Sequence, residues 1–174
     1  FDAFGRLSCP SLPREEILEL VRIAHGEGLP VMAHVNGAEA ILAALEAGTD
    51  SIEHGYYMDS SCLAALAASS SVWVPTLAAT EAFIRRPGFS SQIVGSIVDT
   101  QYENLRLAAG AGALIATGSD AGAVGVPHGG GLLREKVLLE RALGAGAETV
   151  TARGNAALAA RFPRRPAACP AGYL

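Results

Sequence analysis

The stretches that decide the fold are Pro30-Val31-Met32-Ala33-His34 and Asp50-Ser51-Ile52-Glu53-His54-Gly55, together with Ile115-Ala116-Thr117-Gly118-Ser119-Asp120-Ala121-Gly122 further along. Each contains a brief apolar run, which is typical of a buried parallel strand. Each run is followed by a side chain that can bind a metal, namely His34, His54 and Asp120. Because the carboxyl ends of the strands in a β/α barrel point into one shared mouth, the pattern predicts that these three side chains meet there.

Helical patterns alternate with these strands along the chain. We predict strands at 29–35, 51–53, 72–74 and 113–116, and a loop at 83–90. Helices are predicted at 11–26, 38–47, 62–68, 91–109, 129–143 and 148–161. Ser11 is the predicted N-cap of the first helix, and Asp59 or Ser60 that of the third. Strands that alternate with helices predict a parallel sheet with right-handed crossovers. An intact TIM-like (β/α)8 barrel takes about 250 residues. The chain has 174, so an α/β fold of about four βα units is expected.

The composition is that of a globular domain, because 50% of the residues are hydrophobic and 17% are charged. A net charge of −4 without a basic run argues against nucleic acid as a partner. No stretch reaches the roughly 18 apolar residues that a membrane helix needs. Cys9, Cys62 and Cys169 form no C-x-x-C pair, which favours a reduced, cytoplasmic protein over a disulfide scaffold.

Each candidate ligand has a structural interpretation beside the functional one. A single histidine at a strand end is commonly structural, and Asp120 in its Gly-Ser-Asp-Ala-Gly segment can cap a turn. The occurrence of two histidines and one aspartate at equivalent strand ends favours a metal site, since imidazole and carboxylate suit Zn²⁺ and related ions. At such a site Asp120 would bind the metal or accept a proton from an activated water.

Other residues are assigned by their position. His128, in a glycine-rich loop, and Tyr57 or its neighbour Tyr56, in the loop after His54, are candidate contacts for a substrate, although these side chains also have a packing interpretation. His25, in the last turn of a helix, is interpreted as structural. Glu53 precedes His54 in a strand, so we expect its side chain to face the other way and to orient a neighbour or pair with an arginine rather than bind the metal.

These segments resemble the amidohydrolase superfamily, in its imidazolonepropionase-like and prolidase-like branch. The matching segments are Ala33-His34, 44–55, Gly118-Ser119-Asp120-Ala121-Gly122 and Pro127-His128-Gly129. The resemblance implies that His34 and His54 are metal ligands at strands five and six. It also implies that Asp120, at strand eight, binds metal and acts as general base and then general acid. One or two divalent ions, most commonly Zn²⁺, and a small amide, cyclic amide or dipeptide substrate are implied with them.

Two features of that family are missing from the sequence: a His-x-His pair at the first strand and a lysine at the fourth, since Lys136 lies in a predicted helix. The resemblance therefore implies the carboxyl-terminal half of the barrel, with 1–162 as a partial barrel domain and 163–174 as a Pro/Ala-rich tail. We expect a fragment that is inactive or weakly active alone and that forms homo-oligomers or aggregates through open sheet edges. The alternative is a catalytically inactive half-barrel that serves as an assembly module.

Overall fold

The computed structural model describes residues 1–8 and 11–163. In chain order these residues form α1 (Arg14–Gly26), β1 (Met32–Val35), α2 (Ala38–Ala47), β2 (Ser51–His54), α3 (Ser60–Ala68), β3 (Val72–Val74), α4 (Leu77–Ala82), α5 (Ser91–Gly110), β4 (Leu114–Ile115), α6 (Gly130–Leu143) and α7 (Ala147–Arg161). Short 3₁₀ turns cover Phe83–Arg85 and Gly144–Gly146. No helix in this part of the chain is both long and apolar enough to cross a membrane.

The four strands form one parallel sheet in the order β1-β2-β3-β4. Ala33 pairs with Ile52, Ile52 with Trp73, and Trp73 with Ile115. These four residues therefore form one row across the sheet. Parallel strands require crossover connections, which the intervening helices provide. The predicted α/β fold with four parallel strands is confirmed.

The outer face of the sheet carries the main hydrophobic core. Ile52, Trp73 and Ile115 are fully buried there. The helices contribute their apolar stripes to the same cluster, among them Ile41 of α2, Leu66 of α3, Leu105 of α5 and Leu138 of α6. Burial of each such side chain stabilises the fold by about 1.5 to 3 kcal/mol. This packing fixes the strands and therefore the positions of their carboxyl ends.

The inner face of the sheet is covered in part by α7. Val72 and Val74 alternate with Trp73 and so face away from the main core. They form a second buried cluster with Ala116, against which Ala157 and Leu158 of α7 pack.

The outer edge of β4 is covered as well. Ala116 N donates a hydrogen bond to Trp73 O, so the next amide, Thr117 N, points away from β3. Thr117 N donates to Asn155 Oδ1 of α7 over 2.8 Å. The sequence predicted open edges, but α7 covers this one, and only the β1 edge lacks a partner among the described residues.

One local prediction was wrong, and one helix was missed. Helix α1 begins at Arg14 with Pro13 at the N-cap position and no side-chain cap, so Ser11 is not its cap. Helix α4 was not predicted, because its first amides bond to Glu135, which lies 58 residues from Leu77 and leaves no local signal. The Asp59 cap of α3 is confirmed, since its side chain accepts from Cys62 N. Cys9, Cys169 and the predicted tail from residue 164 onward lie outside the described residues.

Candidate metal centre

The structure brings the rings of His34 and His54 together at the carboxyl ends of β1 and β2. The ladder pairs His34 with Glu53 and Val35 with His54, so regular alternation would place the two histidines on opposite faces. However, His54 has a φ of 67°, in the left-handed region, which takes its side chain out of the alternation. The two ring centroids lie 4.4 Å apart at an interplanar angle of 72°. Left-handed backbone at a non-glycine residue costs on the order of 1 to 3 kcal/mol and is concentrated at functional sites.

A hydrogen bond joins His54 to Thr76. Nδ1 of His54 lies 2.6 Å from Thr76 Oγ1, and that hydroxyl also lies 2.8 Å from Pro75 O. When the hydroxyl donates to Pro75 O, it accepts from the imidazole. In this arrangement we assign the proton of His54 to Nδ1, which leaves the lone pair of Nε2 free to bind a metal.

The protonation state of His54 suits the same role. The side chain is 6% exposed. Burial lowers its pKa to about 4, the neighbouring His34 acts in the same direction, and the negative charge of Asp120 opposes them. At neutral pH the imidazole is uncharged, which is the form that binds metal ions.

Asp120 lies near the two histidines without joining them. Strand β4 ends at Ile115, so Asp120 belongs to the following loop rather than to the strand end, and its side chain is exposed. Its charge acts on the pKa values of both His54 and Glu53. Within residues 1–8 and 11–163, however, no three His, Cys, Asp or Glu side chains are close enough to hold a metal ion. Asp120 as a ligand stays a prediction.

Glu53 lies on the same face of the sheet as His34, which the sequence did not predict. It pairs with His34 in the ladder and so shares the inner face with it. Burial raises the pKa of Glu53, a 2.6 Å hydrogen bond from the Ser51 hydroxyl opposes this, and the charge of Asp120 adds to it. The error arose because the left-handed turn at His54, and not Glu53, breaks the alternation. An alignment of the two strands that pairs Ala33 with Ile52 also pairs His34 with Glu53, and it would have indicated that these two side chains share a face.

The two predicted substrate contacts differ in their surroundings. The hydroxyl of Tyr57 donates to the carbonyl oxygen of Gly5, so in this conformation it is not directed at a ligand. Tyr56, the alternative to Tyr57 in the same loop, is buried with its ring centroid 5.6 Å from that of His54. His128 is exposed and lies beside Gly122, in the same loop as Asp120. The substrate roles of Tyr57 and His128 stay predictions.

A cavity of about 640 Å³ lies beside His34 and includes His34, Asn36 and Phe1 in its wall. A larger cavity of about 810 Å³ lies between α4 and α6 and includes none of the candidate ligands. Volume alone therefore does not identify the site.

Comparison with known proteins gives one family. The model of the amidohydrolase family matches residues 2–160. A Xaa-Pro dipeptidase with bound methionine in its active site is 27% identical, with a TM-score of 0.70 over 86% of this chain and 38% of its own. An ochratoxinase from A. niger is 26% identical, with a TM-score of 0.72 over 90% of this chain and 36% of its own. Bottromycin amidohydrolase is 25% identical, with a TM-score of 0.63 over 86% and 45%.

The chain spans less than half of the length of each of these solved relatives. The fold they share with it is a part of their barrel, which confirms the partial barrel expected from the sequence. No curated protein matches the chain.

Proposed function

Because the chain belongs to the amidohydrolase family, we propose that it forms part of a metal-dependent hydrolase that cleaves C–N bonds in small amides, cyclic amides or dipeptides. The observation that carries this proposal is the contact between His34 and His54, with the Nε2 lone pair of His54 left free. The names of two similar structures, a dipeptidase and an amidohydrolase, favour the same class of bond.

The donor set suits a divalent ion such as Zn²⁺. His34 and His54 would each contribute an imidazole nitrogen, and Asp120 would contribute a carboxylate oxygen. Catalytic zinc sites commonly have three protein ligands and one open position. Among the described residues no three such side chains lie close enough for one ion, so Asp120 would have to move towards the histidine pair to complete the set. A second ion, as in part of the family, would need ligands from elsewhere. When bound, the ion supplies Lewis-acid activation of water and of the substrate carbonyl.

The side chains of this chain carry the proton transfers. Asp120 would accept a proton as water attacks the carbonyl carbon, and would pass it to the leaving nitrogen as the C–N bond breaks. His54 stays neutral throughout, because its buried position lowers its pKa to about 4. His128, in the loop of Asp120, and Tyr57 are proposed to contact the substrate.

The test is a Zn²⁺ titration of the metal-free chain by calorimetry, with elemental analysis of the product. We expect about one ion per chain, and we expect His34→Ala and His54→Ala each to weaken binding at least tenfold, since each removes a ligand. Asp120→Ala should weaken it as well. His25→Ala is the matched control, because His25 bonds to Asp50, away from the pair. The proposal fails if the chain binds no Zn²⁺, or if the His34→Ala/His54→Ala double variant binds it as tightly as the unchanged chain.

A second function, that of an assembly module, is favoured by one observation. Strand β1 pairs only with β2 among the described residues, and its Met32 is 53% exposed. An unpaired strand edge is a template for pairing with another chain. The two functions are compatible, because a metal centre built from part of a barrel can be completed by a partner.

A further inference from the structure

A buried carboxylate on α6 holds the first turn of α4. Glu135 is fully buried. Its Oε1 accepts a hydrogen bond from Leu77 N over 3.0 Å, and its Oε2 accepts one from Ala78 N over 2.7 Å. Burial raises the pKa of Glu135 to about 7, although the two amide donors oppose that rise. Burying an ionisable group is costly. The residue at the N-cap position of α4, Thr76, makes no side-chain cap, so Glu135 is the group that satisfies these first amides.

The residue that precedes these two amides is Thr76, which has a φ of 49° and is 3% exposed. A β-branched residue in the left-handed region is a genuine outlier and needs surrounding structure to keep it there. Side chains from two other helices bind the backbone on both sides of Thr76. Gln101 Nε2 of α5 donates to Pro75 O over 3.2 Å, immediately before Thr76, and Glu135 binds the amides immediately after it.

The hydroxyl of Thr76 in turn accepts the Nδ1 proton of His54. The contacts thus form a continuous series from Glu135 through the 76–78 turn to the candidate ligand. We propose that Glu135 is a positioning residue of the metal centre, which holds Thr76 in its left-handed conformation and thereby fixes the tautomer and orientation of His54. This inference rests on the proposed function, because it assigns Glu135 a role at that same site.

The chemistry of a carboxylate explains why glutamate is needed. Both carboxylate oxygens accept, so both amides are satisfied. Glutamine has the same size, but its amide nitrogen is a donor and would face one of the two backbone N–H groups. Glu135→Gln therefore leaves a buried amide unpaired and releases one side of the turn. Without that hold, Thr76 can return to an ordinary backbone conformation and its hydroxyl leaves His54.

The experiment reads the tautomer of His54 directly, by long-range ¹H–¹⁵N NMR of the metal-free chain at about pH 8, where Glu135, with a pKa of about 7, is mostly ionised. It then measures Zn²⁺ affinity at the same pH. In the unchanged chain we expect the proton of His54 on Nδ1. In Glu135→Gln and in Thr76→Val we expect the Nε2–H form to become populated, and Zn²⁺ affinity to fall about 10-fold to 100-fold, as for other partners of metal-binding histidines.

Two controls separate positioning from a general loss of packing. Thr76→Ser keeps the hydroxyl and should keep the Nδ1–H form. Arg134→Gln removes a different link between α6 and α4, the ion pair with Glu81, and should leave His54 unchanged. Circular dichroism checks that each variant is folded.

The proposal is overturned if Glu135→Gln and Thr76→Val both keep the tautomer and the affinity of the unchanged chain. It is also overturned, without any variant, if His54 of the unchanged chain carries its proton on Nε2. The tautomer measurement needs no metal. A chain that binds no Zn²⁺ but shows the expected tautomer shifts would therefore refute the proposed function and support the role of Glu135.

Discussion

His54 combines a left-handed backbone, near-complete burial and contact with a second imidazole. A histidine that only filled the core would need none of the strain, and regular alternation would have placed it on the outer face with Trp73. The strain turns the ring towards His34, and the hydrogen bond to Thr76 then selects one nitrogen. The position of the His54 ring beside His34 therefore depends on one backbone angle, the φ of His54.

Two buried groups should give this chain opposing dependences of stability on pH. The pKa of His54 is lowered to about 4, so the unfolded state binds more protons between about pH 4 and 6.5, and the free energy of unfolding falls as the pH drops through that range. The pKa of Glu135 is raised to about 7, so the folded state binds more protons between about pH 4.5 and 7, and stability is lost as the pH rises. The two slopes oppose each other where the ranges overlap.

We therefore predict that each substitution reveals the slope of the other group. Between pH 5 and 6.5, His54→Asn should make the free energy of unfolding fall with rising pH, and Glu135→Gln should make it rise, by up to about 1.4 kcal/mol per pH unit in either case. Asparagine is chosen because it tolerates the left-handed region. Urea unfolding of the metal-free chains at several pH values measures the effect, with the exposed His128→Asn as control. Parallel pH profiles for the two variants would contradict the prediction.

Helix α7 is the element whose place in the fold the local sequence pattern does not reveal. It lies on the inner face of β3 and along the outer edge of β4. Its last residue, Arg161, donates to the carbonyl oxygen of Asp50, immediately before β2, over 2.8 Å. Its close approach depends on Gly154. A Cβ at that position would lie 2.1 Å from Ile115 O, a backbone atom that cannot easily move.

Gly154→Ala should consequently destabilise the chain, whereas the same substitution at Gly95 should stabilise it. Overpacking against backbone costs about 1 to 3 kcal/mol, which outweighs the gain in helix propensity. Gly95 also lies within a helix, α5, but no atom is within 4 Å of its Cβ position, so Gly95→Ala should gain about 0.5 to 1 kcal/mol. Denaturant unfolding of both variants provides the comparison. A stabilising effect at both positions would show that α7 does not pack on β4 as described.

The molecule as a whole is asymmetric, because α7 covers the β4 edge while the β1 edge has no partner among the described residues. Apolar side chains lie at or beside that open edge: Met32 of β1 and the preceding Leu29 are each about half exposed, and Leu20 of α1, also half exposed, lines a cavity with Val31 and Ala33. An apolar strip beside an unpaired strand is typical of an interaction surface. The expectation of self-association is accordingly confined to one side of the sheet.

We predict concentration-dependent self-association of the unchanged chain, which Met32→Lys should reduce, since a charged side chain on an edge strand opposes pairing. Leu133→Lys is the matched control, because Leu133 is 68% exposed on α6 and lies away from β1. Sedimentation velocity over a range of concentrations measures both. An unchanged chain that stays monomeric throughout, or equal effects of the two substitutions, would argue against β1 as the contact.

The sequence by itself determined the parallel sheet, the order of the elements apart from α4, and the position of His34 and His54 at the ends of neighbouring strands. These features follow from short-range patterns: apolar runs of strand length, helical spacing, turn glycines, and the rule that parallel strands end on one side. The family is also visible at this level, because its motifs are contiguous stretches such as 44–55.

Only the tertiary structure decided which groups surround that pair. The face of Glu53 depends on the register between β1 and β2 and on one left-handed residue, and the distance of Asp120 depends on where β4 leaves the ladder. Two further contacts join residues that are far apart in the chain: Glu135 binds the turn that follows Thr76, and α7 packs against the edge of β4. A local pattern specifies backbone period and turn chemistry, whereas such contacts arise from packing that brings distant segments together.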